Sequence, residues 1–188
     1  SLFRGVCPGC GCSMDIEGGP LCRWCSLRIY PDGSRNAGGL SVETAFHYRG
    51  IPRELILRLK FHHERKQASV LAGLAVCSWR RVPAEGDAIV PVPTTRGRIR
   101  ERGYDHTHLL ASRIASLTGA VCRQYLKRSP GASQIGLSAA ERAENVRGSF
   151  RISGNPKPNM NIWLLDDVMT TGATADAFTL FERFEAKL

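Results

Sequence analysis

The stretch Ile162-Trp163-Leu164-Leu165-Asp166-Asp167-Val168-Met169-Thr170-Thr171-Gly172-Ala173-Thr174 decides how this chain is read. Its apolar start predicts a firm hydrophobic strand, two carboxylates end that strand, and a loop of glycine and hydroxyl residues opens a helix predicted over residues 175–188. A helix start offers unsatisfied N–H groups and a partial positive charge, so a phosphate can sit there. Gly172 lets the backbone approach a ligand closely, and Thr170, Thr171 and Thr174 add hydroxyl donors. Asp166 and Asp167 can accept hydrogen bonds from vicinal hydroxyls of a ribose, directly or around a bound Mg²⁺. A plain helix cap by Asp167 and Thr170 would explain a lone Thr-Thr-Gly, but not the whole strand–carboxylate–loop–helix run.

Working outward, Ala88-Ile89-Val90-Pro91-Val92-Pro93 reads as a second buried strand, halted by proline. Helical spacing is predicted from Pro52 to Phe61, from Gln67 to Arg81 with Val70, Leu71, Leu74 and Ala75 as its apolar face, and from Thr107 to Thr118 before the stop at Gly119. Shorter strands are expected at residues 42–48, 121–126 and 150–152. Ser138-Ala139-Ala140-Glu141 has the capping-box pattern. Strands alternating with helices imply an α/β fold with a mostly parallel sheet flanked by helices, and such sheets bind ligands beyond the carboxyl ends of their strands.

Five of the seven cysteines fall in the first 25 residues. Cys7-Pro8-Gly9-Cys10 and Cys22-Arg23-Trp24-Cys25 form two C-x-x-C knuckles eleven residues apart. Four thiolates so arranged close a tetrahedral shell, which predicts structural zinc in a small zinc-ribbon-like module; Cys12 is a spare that can replace Cys10 if the knuckle shifts register. Cys77 and Cys122 lie in helix and strand patterns and read as small core hydrophobes. Residues 31–40 are rich in turn formers and read as a linker, so the expected division is 1–36 for the zinc module with its linker and 37–188 for the main domain.

The chain of 188 residues carries 26 Lys+Arg against 17 Asp+Glu, a formal charge of +9, and 21 of those cations are arginine. Such a surface favours a polyanionic or phosphate-rich partner, because the guanidinium fork grips phosphate bidentately. Arg96, Arg98, Arg100 and Arg102 alternate, so an extended loop would project them together as a nucleic-acid-binding stripe. Trp24, Tyr30, Phe61 and Tyr104 are candidates to stack bases, with core packing the preferred role for Phe61, and His62-His63 reads as a solvated turn. No apolar run reaches the ~18–20 residues of a membrane span, and Ser1-Leu2-Phe3-Arg4 does not begin a signal peptide. A soluble, cytoplasmic protein is expected.

The carboxylate–threonine–glycine run resembles the phosphoribosyl pyrophosphate (PRPP) motif of type I phosphoribosyltransferases. The remaining motifs resemble the ComF (ComFC-like) competence protein family, which joins a four-cysteine zinc module to a phosphoribosyltransferase domain. They are Tyr48-x-Gly50, Leu59-Lys60-Phe61, Pro91-Val92-Pro93, Arg102-Gly103-Tyr104, Gln134-x-x-Leu137, Arg142-x-x-Asn145 and Gly148-x-Phe150, in the family's order. The resemblance implies a type I phosphoribosyltransferase-like fold in which Asp166 and Asp167 hold the ribose hydroxyls and are the catalytic candidates. Residues Thr170, Thr171, Gly172, Ala173 and Thr174 would then cradle the 5-phosphate, Thr94, Thr95 and Arg96 would face the pyrophosphate, and residues 129–147, with Arg142 and Asn145, would form a hood.

The family usually has Asn-Gln where this chain has Asp105-His106, and it usually continues into a further strand beyond the position of Leu188. The resemblance therefore implies a protein that binds PRPP with Mg²⁺ and acts in DNA uptake during natural transformation, contacting single-stranded DNA and DNA-uptake proteins. The alternatives are an active Mg²⁺-dependent phosphoribosyltransferase on a nucleobase or related acceptor with no DNA role, and a regulatory PRPP sensor.

Overall fold

Strand β5 (Ala88–Pro91) is buried along its whole length, as its unbroken apolar sequence demands of a strand covered on both faces. In the computed structural model it is the centre of a three-stranded parallel sheet, between β6 (Val121–Cys122) and β9 (Ile162–Leu165). The structure describes residues 5–14, 19–37, 40–128, 150–158 and 160–168. The helices expected at 138–141 and 175–188 lie outside them.

Alternate residues of β5 face opposite layers, as a two-residue period requires. Ile89 joins a core built from α2 (Gly50–Phe61), α3 (Gln67–Ser78) and α5 (His106–Thr118) through Leu55, Leu59, Leu71, Leu110 and Ile114. Val90 packs on the other side against an antiparallel pair, β7 (Leu126–Arg128) and β8 (Phe150–Ile152), through Leu126 and Phe150. Small residues set the spacing of the helical layer: Ala68 and Ala72 of α3 and Ala111 of α5 are fully buried in the same cluster. Cys77 does not join that core. It stands two positions beyond Ala75, about 200° around the helix, and is exposed. Cys122 is half-buried, and burial pushes its thiol up.

The expected linker is a strand. Residues Pro31–Ala37 form β3, paired antiparallel with β4 (Leu40–Phe46) from Pro31↔Phe46 to Ala37↔Leu40. Breaker residues predict turns from local preference, but here the β-favouring Val42, Thr44 and Phe46 supply a hydrogen-bonding partner that overrides it. The hairpin spans the expected boundary at 36/37. The strand expected over 121–126 is likewise split between β6 and β7.

Asp87, just before β5, ties the sheet together. Its carboxylate accepts from Asn161 Nδ2 (2.9 Å), Trp163 Nε1 (2.9 Å) and the Ala84 N–H (3.0 Å). Burial alone would raise its pKa, but these three donors outweigh it and hold the group below the ordinary carboxylate value. We expect Asp87→Ala to lower stability by about 2–4 kcal/mol, since it orphans two side-chain donors at once. Urea unfolding followed by circular dichroism measures this, and an unchanged midpoint would contradict the assignment.

Candidate functional site

The carboxyl ends of β5 and β9 lie side by side, with Pro91 opposite Leu165 and the Val92 N–H bonded to the Leu165 carbonyl at 2.9 Å. Asp166 and Asp167 therefore emerge next to the turn that follows β5. That turn carries Thr94 and Thr95 into α4 (Arg96–Arg102), where Thr95 is the N-cap and its Oγ1 accepts from the Arg98 N–H at 3.3 Å. Gly103, with φ of 79°, ends the helix in the left-handed conformation that glycine adopts without strain. Asp105 then caps α5, its Oδ1 accepting from the Thr107 and His108 N–H groups, and Thr107 Oγ1 donates to the Val92 carbonyl at 2.9 Å. The Asp105-His106 pair that departs from the family pattern is thus half helix cap.

The other half is chemistry. His106 is buried and its Nε2 lies 2.9 Å from Asp167 Oδ2, while Nδ1 lies 2.6 Å from an Arg102 guanidinium nitrogen. A guanidinium can only donate, so Nδ1 accepts; Nε2 carries the proton and donates to the carboxylate. Lys60, near the end of α2, forms an ion pair with the same Asp167 oxygen. The Arg102 Nε also donates to the Lys60 carbonyl, and the Tyr104 hydroxyl donates to the Leu59 carbonyl, so α2 is tied to both ends of the α4–α5 turn. Burial would raise the Asp167 pKa, but the His106 hydrogen bond and the Lys60 ammonium hold it well below the usual carboxylate range. The Asp166 carboxylate accepts the Asp167 N–H at 2.8 Å.

Several sequence expectations change here. The arginine stripe is helical: α4 spreads Arg96 and Arg98 about 200° apart instead of projecting all four together. Arg102 is buried in the Asp167 network, so it is no part of an open nucleic-acid surface, whereas Arg96, Arg98 and Arg100 are exposed. Phe61 is not core but 63% exposed, and Tyr104 is an internal tie. Trp24 and Tyr30 are exposed, and His62 and His63 occupy an exposed turn as expected. Thr170, Thr171, Gly172, Ala173, Thr174, Arg142 and Asn145 lie outside the described residues.

Sequence reasoning missed His106 as a site residue, and it placed Lys60 only in a motif and Arg102 in the arginine stripe instead of beside Asp167. Asp167 is 61 positions from His106, and no local pattern links them. The signal available was the Leu59-Lys60-Phe61 and Arg102-Gly103-Tyr104 motifs, without their meeting point.

A second site lies in the first 25 residues. The Sγ atoms of Cys7, Cys10, Cys22 and Cys25 all fall within 4.8 Å of one another, with Cys10 and Cys22 at 3.7 Å. Tetrahedral zinc with Zn–S near 2.3 Å would set neighbouring sulfurs about 3.8 Å apart, so the donor set fits a metal ion such as zinc. Backbone N–H groups of Cys12 and Cys25 lower the thiol pKa values of Cys10 and Cys22. Cys12 sits beside the set, 3.3 Å from the Cys10 sulfur, whose hydrogen bonding pushes the Cys12 thiol up to about 12. The module is anchored on α2: Cys7, Leu21 and Cys25 share the core of Leu55 and Leu59, and Arg58 donates to the Pro8 carbonyl at 3.1 Å.

The site and fold define an α/β protein with a parallel sheet, paired carboxylates at a strand end and a four-cysteine cluster near its amino end that could hold a metal ion. The chain is 29% identical to Competence protein F of Haemophilus influenzae over 190 residues, covering 91% of this chain and 81% of that protein. It is 27% identical to Competence protein ComFC of Bacillus subtilis over 173 residues, covering 90% and 68%. No family model matches the chain, and no solved structure matches it. Over about nine-tenths of its length the chain is thus similar to two competence proteins, F and ComFC. Among the described residues no helix is long and apolar enough to cross a membrane.

Proposed function

We propose that this protein binds PRPP with Mg²⁺ beyond the carboxyl ends of β5 and β9, through a type I phosphoribosyltransferase-like domain, and acts in DNA uptake during natural transformation. The observation that carries the reading is the position of Asp166 and Asp167 at the end of β9, beside the Thr94–Thr95 turn and backed by Lys60 and Arg102. A strand-end carboxylate pair is suited to vicinal hydroxyls, and surrounding cations suit a pyrophosphate leaving group. In this reading Asp166 contacts the ribose, while Asp167, already held by Lys60 and His106, sets its position. Asp166 would stand beside a bound Mg²⁺, and the ion would supply neutralisation of charge developing on the leaving group.

The names of the two competence proteins support the role in transformation. Single-stranded DNA is the proposed macromolecular partner, with Arg96, Arg98 and Arg100 as phosphate contacts and the exposed Trp24 and Tyr30 as stacking surfaces. The division into a zinc module and a phosphoribosyltransferase-like domain, near residue 36, belongs to the same proposal.

Calorimetric titration with PRPP and Mg²⁺ tests the site. The wild-type chain is expected to bind, and Asp166→Asn to weaken binding at least ten-fold with little change in melting temperature. Equal affinity in the two proteins would overturn the assignment.

A further inference from the structure

A recess opens where the end of α2 meets α4. Its lining is Lys60, Phe61, His63, Arg98, Glu101 and Arg102, so four of its six side chains are cationic or titratable to a cation. The aromatic ring at its edge is 63% exposed, although Leu55 and Leu59 of the same helix are buried and Ile51, Ile56 and Leu57 are half-buried.

His63 directly follows the C-cap of α2 and has a φ of 57°. A left-handed residue commonly stops a helix at this position, and histidine adopts the conformation more readily than most side chains. Its ring is held too: Nδ1 lies 3.1 Å from the Arg102 carbonyl and must donate to it. That leaves Nε2, which accepts in the neutral ring and donates to an anion only in the imidazolium form.

Lys60 of the recess is paired with Asp167 and Glu101 is the carboxylate of its lining, so the open charge here belongs to Arg98 and its neighbour Arg128. Among the described residues no carboxylate pairs with Arg98 or with Arg128 of β7. Arg128 stacks over Phe150, and its Nε is buried without a hydrogen-bond partner. Burial lowers the Arg128 pKa, and the repulsion of the nearby Arg98 lowers it further. Two guanidinium groups brought together without an acid are stabilised by an anion that both can reach.

We propose that the recess between α2 and α4 is a nucleotide site, in which Lys60, His63 and Arg98 hold a phosphate and the exposed face of Phe61 stacks the attached base. An arginine–aromatic combination is what a single nucleotide unit requires, since every base has a π-face and every linkage a phosphate. The same chemistry is presented by a free mononucleotide and by one unit of a single strand. The inference deepens the nucleic-acid part of the proposed function and rests on that part; Lys60 is shared with the Asp167 network, so Phe61 and Arg98 carry the test.

The test uses the full zinc-loaded chain, titrated with dTMP, with a twelve-residue oligo-dT and with inorganic phosphate, beside Phe61→Leu and Arg98→Gln. Both positions are exposed, so circular dichroism and melting are expected to match wild type. Loss of the ring is expected to weaken nucleotide binding roughly ten-fold while leaving phosphate binding unchanged. Arg98→Gln is expected to reduce the slope of log K against log salt for oligo-dT by about 1.

Binding of oligo-dT alone supports a strand site, and equal binding of dTMP supports the recess as a site for free nucleotides. Oligo-dT binding that neither variant alters overturns the recess while leaving a nucleic-acid partner in place. No binding by dTMP or oligo-dT at millimolar concentration overturns both, and binding of PRPP in that same protein keeps the phosphoribosyl reading intact.

Discussion

Asp167→Ala is expected to destabilise the protein by about 3–5 kcal/mol, because it leaves the buried ends of Lys60 and the His106–Arg102 pair without their counter-charge. At about 2–4 °C per kcal/mol for a chain of this size, the melting temperature should fall by about 6–20 °C. Asp167→Asn keeps the shape and one acceptor, so its effect should be smaller. Combining Asp167→Asn with Lys60→Met should cost less than the two changes summed, since each alone orphans the other partner. A double variant that loses the full sum would show that the two groups do not interact in solution.

The same carboxylate makes stability depend on pH. Its folded pKa lies below the unfolded value of about 3.9, so its contribution is complete at neutral pH. The contribution begins to fall as acidification reaches the unfolded value and is lost as pH drops through the folded one. Wild type should therefore lose stability toward Asp167→Asn on acidification, and chemical unfolding at successive pH values measures the convergence. Parallel curves would contradict the pairing.

Removing the metal is expected to have the second large effect. Elemental analysis should find one zinc per chain, and a strong chelator should lower the melting temperature by on the order of 10 °C or more. The reason is the shared core: Cys7 and Cys25 are themselves buried side chains of the cluster that contains Leu55 and Leu59 of α2. Loss of the metal should thus loosen α2 as well as the knuckles. Cys25→Ser should reproduce the loss, whereas Cys12→Ser should retain the metal, because Cys12 lies beside the four-sulfur set. Melting that is indifferent to chelation would exclude a structural role, and loss of metal in Cys12→Ser would move the ligand set.

Much of this was legible in the order of residues, though unevenly. The two knuckles carry their own geometry, because a C-x-x-C turn holds its sulfurs close wherever it sits. The strand over 162–165 and the helix closed by Gly119 follow from periodicity and from a stop that only a left-handed residue supplies. The alternating arginines misled for a definable reason. A two-residue alternation says strand or loop, yet Thr95 as N-cap and Gly103 as C-cap enclose a helical turn, and those caps were the better signal.

Sequence by itself determined the cysteine set, the alternation of strands and helices, and the carboxylate pair at a strand end. Each depends on neighbours within a few positions, where backbone geometry follows from residue type. Only the tertiary structure decided that Lys60, Arg102 and His106 converge on Asp167, that Arg102 is buried and Phe61 exposed, and that the expected linker is a strand. Those outcomes depend on which charges and backbone groups the packing of α2, α5 and β9 brings within hydrogen-bonding distance, and residues 61 positions apart carry no local trace of that meeting.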